Sequence, residues 1–144
     1  IVELNSIKQL WDSTIVITCG GGGVPVIERA DGSLEGIAAV IDKDLAAEKL
    51  AVDVEADVLL ILTEVDKVAL NFGKPDQKEL DHITVKEAIQ YMEDGHFAPG
   101  SMLPKMKAAV MFARSFPGKR AIITSLYKAV DAIDGKAGTT ITMA

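Results

Sequence analysis

Aromatic residues make up only 5% of this 144-residue chain, so whatever core it forms must be built from aliphatic side chains. A single cysteine, Cys19, excludes an internal disulfide and any zinc site built from thiolates. That usage fits a reducing compartment, and a cytoplasmic location is expected. The two histidines, His82 and His96, have no partners at metal-ligand spacing, so no side chain is assigned as a metal ligand. Basic residues are outnumbered, 15 Lys and Arg against 21 Asp and Glu, for a net charge of −6. Phosphate backbones attract basic stripes, so no nucleic-acid partner is expected. No apolar run reaches membrane-spanning length and no signal-peptide pattern opens the chain, so no membrane partner is expected. Internal repeats and low-complexity segments are absent as well.

What is present is an alternation of helix and strand signals. In "IVELNSIKQLW", Leu4, Ile7, Leu10 and Trp11 fall at helical spacing and predict a helix over 3–12, with the chain opening inside it as a processed piece would. "TIVIT" (14–18) is continuous and β-branched and predicts a buried strand. A short strand at Val24–Ile27 and the Asp31-Gly32 turn predict a hairpin with Leu34–Ala38. Asp42 is placed to cap a helix over the following segment. "DVLLILT" (57–63) carries the strongest strand signal. Residues 66–81 read as a loop with an excursion at Val68–Phe72. "TVKE" (84–87) is a capping box opening a helix that stops at Gly95. Pro104 is expected to begin a helix running to about Arg114, with Leu103 in the capping position. "RAIITS" (120–125) predicts a strand, Ser125 a cap for the helix after it, and "GTTIT" a closing strand. This order predicts an α/β fold, a mainly parallel sheet flanked by helices on both faces. Ligands in such sheets bind at the carboxyl ends of strands, so the strand-end loops and helix starts hold the candidate site.

Four consecutive glycines, Gly20, Gly21, Gly22 and Gly23, follow the first predicted strand. A P-loop needs Lys and Ser/Thr after the last glycine, and here Val24-Pro25-Val26 stand instead. A dinucleotide fingerprint needs a third spaced glycine entering a helix, and Pro25 occupies that place. Two readings remain: an anion-binding concavity of backbone N–H groups, or a tight turn crossed by another segment. Lys43 sits beside Asp44 at one predicted helix start, and Lys105 falls in the first turn of another. Lysine is unfavourable there because the helix N-terminus is already positive. Each lysine is a solvated surface group or a contact for a negative ligand, and two such lysines together favour the ligand. Thr63, Glu64 and Asp66 follow the strongest strand, where a carboxylate serves ribose hydroxyls or magnesium, or is simply solvated. Phe97 and Met102 offer either an apolar wall for a base or loop-anchoring core contacts, and His96 is read as structural or surface.

The segments "CGGGGVPVI", "AVIDKDLAAEKLA", "LLILTEVDKV", "NFGKPDQ", "EDGHFAPGSMLPKMKAA" and "RAIITSLYKAV" resemble, in collinear order, the C-terminal half of the carbamate kinases, a branch of the amino-acid kinase superfamily. The resemblance implies a three-layer sandwich and reversible phosphoryl transfer between carbamoyl phosphate and ADP, giving ATP and carbamate with Mg2+. It implies a homodimer in the full-length protein, in arginine fermentation. By motif, Lys43 and Lys105 stand for the lysines on the transferring phosphoryl group and nucleotide phosphates, and Asp44 for the aspartate that organises them. Thr63, Val65, Asp66 and Val68, with Phe97, Gly100, Ser101 and Met102, stand for the nucleotide site, and Gly20–Gly23 for the carbamoyl-phosphate side. The chain then corresponds to the nucleotide-binding portion, residues 1–30 forming the junction with an N-terminal substrate half. Glu64 and Lys67 depart from the family, which commonly has Asp and Gly there. That substrate half carries a further glycine loop, a further lysine and most of the carbamate pocket, so the 144 residues alone are expected to be inactive. The alternative is a non-enzymatic ADP/ATP-binding module or an inert fragment.

Overall fold

The computed structural model describes all 144 residues. Its centre is a four-stranded sheet of β3 (Val58–Thr63), β7 (Arg120–Ser125), β8 (Thr139–Thr142) and β6 (His82–Thr84), in that spatial order. β3 runs parallel to β7 and β6 parallel to β8, but β7 and β8 are antiparallel. Two of the three pairings are thus parallel, as a mainly parallel sheet requires, and one is antiparallel. The reason is the short return after β7: a 3-10 turn (Leu126–Lys128) and the five-residue α5 (Ala129–Ile133) reverse the chain into the neighbouring position. Gly138, at φ +81°, lies so close over β7 that a Cβ there would sit 3.0 Å from the Thr124 side chain.

One row of alternate residues crosses all four strands: Leu59, Ala121, Ile141 and Ile83 are register partners and all belong to one core cluster. This face is covered by α2 (Lys43–Asp53), α3 (Val85–Glu93) and α4 (Met102–Ala113), which contribute Ala51, Ala88, Met106, Ala109 and Phe112. The core is aliphatic apart from Phe97 and Phe112, as the aromatic content requires. The opposite parity, Arg120, Ile122 and Thr124, faces α5, where the Arg120 guanidinium donates to the Ile133 carbonyl at 3.1 Å. Helices therefore lie on both faces.

Local signals explain the helix starts. Asp42 accepts from the Asp44 and Leu45 amides at 2.8 and 3.2 Å. Thr84 and Glu87 complete the capping box, and Gly95 follows the Asp94 cap at φ +74°. α4 begins earlier than expected: Ser101 is the capping residue, Leu103 is helical, and Pro104 is the third residue of the helix. Ser101 makes no side-chain capping bond. Ser125 does stand at the cap of the 3-10 turn, but its hydroxyl turns away from it.

The N-terminal third is more open. α1 covers Leu4–Leu10, and β1 (Val26–Glu28) pairs antiparallel with β2 (Leu34–Gly36), the expected hairpin. The strand expected at 14–18 does not form: Ile15 and Ile17 are 92% and 96% exposed, and no strand of this chain pairs with them. Strand conformation needs a partner, and a β-branched run alone does not provide one. Residues 66–81 form more than a loop, since β4 (Ala69–Leu70) and β5 (Lys78–Glu79) make a small antiparallel hairpin. No helix is long and apolar enough to cross a membrane.

Candidate functional site

The end of β3 and the start of α4 face each other across a cleft of about 220 Å³. Thr63, Glu64, Val65 and Lys67 from the loop after β3 and Phe97, Ala98, Ser101 and Met102 before and at the start of α4 line it, together with Ala69, Phe72 and His96. The loop after β3 is fixed from behind. The Ser125 hydroxyl donates to Asp66 Oδ1 at 2.5 Å, and the Thr124 hydroxyl donates to the Asp66 carbonyl at 3.1 Å. The Val68 amide donates to the buried Thr139 Oγ1 at 2.8 Å, and that hydroxyl donates onward to the Leu80 carbonyl. The loop is thereby tied to strands β7 and β8, giving the cleft a rigid floor.

Five of the residues expected to hold a nucleotide line this cleft: Thr63, Val65, Phe97, Ser101 and Met102. Three do not. Asp66 has one carboxylate oxygen bound to Ser125, Val68 is fully buried in the core, and Gly100 is exposed beside the cleft. Phe72 is not singled out from the sequence, and His96 is read there as structural or surface. His96 donates from Nδ1 to Asn71 Oδ1 at 3.2 Å and meets Tyr91 edge-on, with ring centroids 5.9 Å apart. Nothing in the local sequence signals that bond, because its partner is 25 residues away. At the rim the Lys67 ammonium donates to the Asp81 carboxylate, and this bond, reinforced by the Asp81 charge, holds the Lys67 pKa above its ordinary value.

The two lysine-bearing helix starts also come together. Lys105 Nζ lies 3.0 Å from Asp44 Oδ2, joining the first turns of α2 and α4, and the two side chains are only 13% and 11% exposed. Asp44 thus holds one of the two lysines it was expected to orient. Lys43, the first residue of α2, is exposed. Gly22 reaches the same region: a Cβ there would sit 2.5 Å from the Ile41 carbonyl oxygen, two residues before Lys43. The crossing segment of the plainer reading therefore exists, but only at Gly22. A Cβ at Gly20, Gly21 or Gly23 would meet nothing within 4 Å.

The chain's carboxylates do not build a metal cage, since no group of three or more His, Cys, Asp or Glu converges. Asp44, the carboxylate joined to Lys105, is already paired. A magnesium ion would therefore be held chiefly by the phosphates of a nucleotide and by water.

The amino acid kinase family pattern matches residues 1–125. The chain is 57% identical over 142 residues to a carbamate kinase of Clostridium perfringens, covering 98% of this chain and 45% of that one. A carbamate kinase-like protein of Escherichia coli is 52% identical, with 98% and 46% covered. Among solved structures, a Giardia lamblia carbamate kinase bound to AMP-PNP matches with a TM-score of 0.94 and 45% identity, covering 99% of this chain and 50% of that one. The chain spans about half the length of the curated relatives it matches. With most of its length matched by one family and its fold shared with a kinase of that family, the chain belongs to the amino acid kinase family.

Proposed function

We propose that these 144 residues are the C-terminal, nucleotide-binding portion of a carbamate kinase. The parent protein would transfer a phosphoryl group reversibly between carbamoyl phosphate and ADP, giving ATP and carbamate. The observation that carries this reading is the Lys105–Asp44 pair at the joined starts of α2 and α4, beside the cleft that Ser101 and Met102 line. Phosphoryl transfer is mostly positioning and charge stabilisation, so it needs cations fixed where charge spreads over the moving oxygens. Asp44 fixes the position of the Lys105 ammonium while offsetting part of its charge, and exposed Lys43 supplies a second cation. At an effective dielectric near 20, each such charge at 4 Å contributes roughly 4 kcal/mol.

In this reading the apolar walls Phe97, Met102 and Phe72 take the base, and the α4 start meets the phosphates. Magnesium arrives on the nucleotide and neutralises part of its charge. Gly20–Gly23 faces the carbamoyl-phosphate side, where Gly22 packs against the segment leading to Lys43. The exposed run around Ile15 and Ile17 supports a junction with an N-terminal half that completes the pocket. The parent would be a cytoplasmic homodimer of arginine catabolism, and the isolated chain would bind nucleotide without turnover. In the full-length protein, Lys105→Ala should abolish ATP formation from carbamoyl phosphate, and wild-type activity in that variant would sink the proposal. A second reading, a non-catalytic ADP/ATP-binding module, is excluded by carbamoyl-phosphate-dependent ATP formation by the full-length protein.

A further inference from the structure

The inference drawn here rests on the nucleotide reading of the cleft and concerns which base it selects. It starts outside the cleft, in the turn between β4 and β5. Asp76, exposed there, accepts from Asn71 Nδ2 at 2.7 Å. A carboxylate only accepts, so the Asn71 amide is fixed with its NH2 toward Asp76. Its Oδ1 is then the atom that faces His96 Nδ1, at 3.2 Å. An amide oxygen only accepts, so in the neutral ring the proton sits on Nδ1 and Nε2 keeps its lone pair. His96 lines the cleft, and no hydrogen bond within the chain takes up its Nε2. Every buried side-chain nitrogen and oxygen has a partner, so this unpartnered Nε2 is open to solvent.

We infer that His96 is a specificity-determining residue that selects a base carrying an exocyclic amine over one carrying a carbonyl at the same position. Among purines this means adenine over hypoxanthine or guanine. In a cleft that Val65, Phe72, Phe97 and Met102 also line, a lone-pair acceptor pairs with an N–H donor and is left facing another lone pair by a carbonyl. Sites that hydrogen-bond a substrate group reject the analogue lacking it more strongly than apolar pockets do, because the site's own polar atom is left unpaired. Asp76 and Asn71 act as positioning residues that set the tautomer, and His96 makes the contact.

The test is titration of the 144-residue chain with ADP and with IDP at pH 8, following amide shifts by NMR. Wild type should bind ADP about tenfold more tightly than IDP. His96→Phe keeps an aromatic lining and should bring the ratio to about one. Asp76→Asn, an exposed change outside the cleft, frees the amide and should narrow the ratio while ADP still binds. That outcome separates a tautomer-setting role from a structural one. Equal affinity of wild type for the two nucleotides, or an unchanged ratio in a folded His96→Phe, overturns the inference alone. Absence of binding by any nucleotide overturns the nucleotide reading, and the inference with it.

Discussion

Removing Asp44 should destabilise the chain well beyond the loss of a surface ion pair. Its carboxylate lies 3.0 Å from the Lys105 ammonium, and the side chains are 11% and 13% exposed. An exposed pair contributes about 0–1 kcal/mol. Stripping one partner from a fully buried pair costs about 3–5 kcal/mol, since the other charge stays desolvated. This pair retains some contact with water, so Asp44→Ala should cost about 2 kcal/mol. For a domain of this size that is a fall in Tm of about 5–10 °C. Lys105→Met should cost less than Asp44→Ala when added to it, because the second change removes the stranded charge. Thermal unfolding of both single variants and the double variant, followed by circular dichroism, gives the coupling directly. A coupling of about 1 kcal/mol or more is expected, and additivity within about 0.3 kcal/mol would refute the claim that these helix starts are clamped by this pair.

Three further outcomes follow from the geometry. Gly22→Ala should destabilise by about 2 kcal/mol or more, since φ is +123° and the added Cβ meets a backbone oxygen, whereas Gly21→Ala, in open space, should be near neutral in the same melts. Glu48 is 6% exposed and burial raises its pKa above the ordinary 4.5, so the folded state carries a buried charge whose penalty grows as pH rises through that raised value. Glu48→Gln should therefore raise Tm at pH 7, and the gain should vanish below about pH 4, where both states are protonated. Glu87 is the opposite case: its bonds from the Thr84 amide and hydroxyl lower its pKa, so the stability they give is present above the ordinary carboxylate value and lost as pH falls through the depressed one. Thr84→Ala should lower stability by about 1 kcal/mol at neutral pH, and the deficit should shrink in acid.

The features legible in the sequence are those whose causes are local. Asp42, the Thr84–Glu87 box and Gly95 bound their helices because caps act within three or four residues. The strands 58–63 and 120–125 carry enough apolar length to declare themselves. What escaped depends on partners distant in the chain. The strand β6, three residues at His82–Thr84, exists because β8 lies beside it, 58 residues on. The run at 14–18 has the composition of a buried strand and no partner in this chain. The antiparallel direction of β8 follows from the short return through α5, which composition does not encode. In the site, Lys43 and Lys105 stood out because lysine is unfavourable at a helix start, yet which of them Asp44 holds was decided by the packing of α2 on α4. His96 stayed unread because its orientation is set through Asn71 and Asp76, across the β4–β5 turn.

The measurement that bears most directly on the central claim is an NMR titration of the 144-residue chain with Mg·ADP. Saturable binding with a Kd of about 1 mM or tighter is expected. The shifted amides should cluster at Thr63–Lys67 and Phe97–Met102, and Lys105→Ala should weaken the affinity. No saturable shift at millimolar nucleotide, or shifts confined to residues away from that cleft, would contradict it.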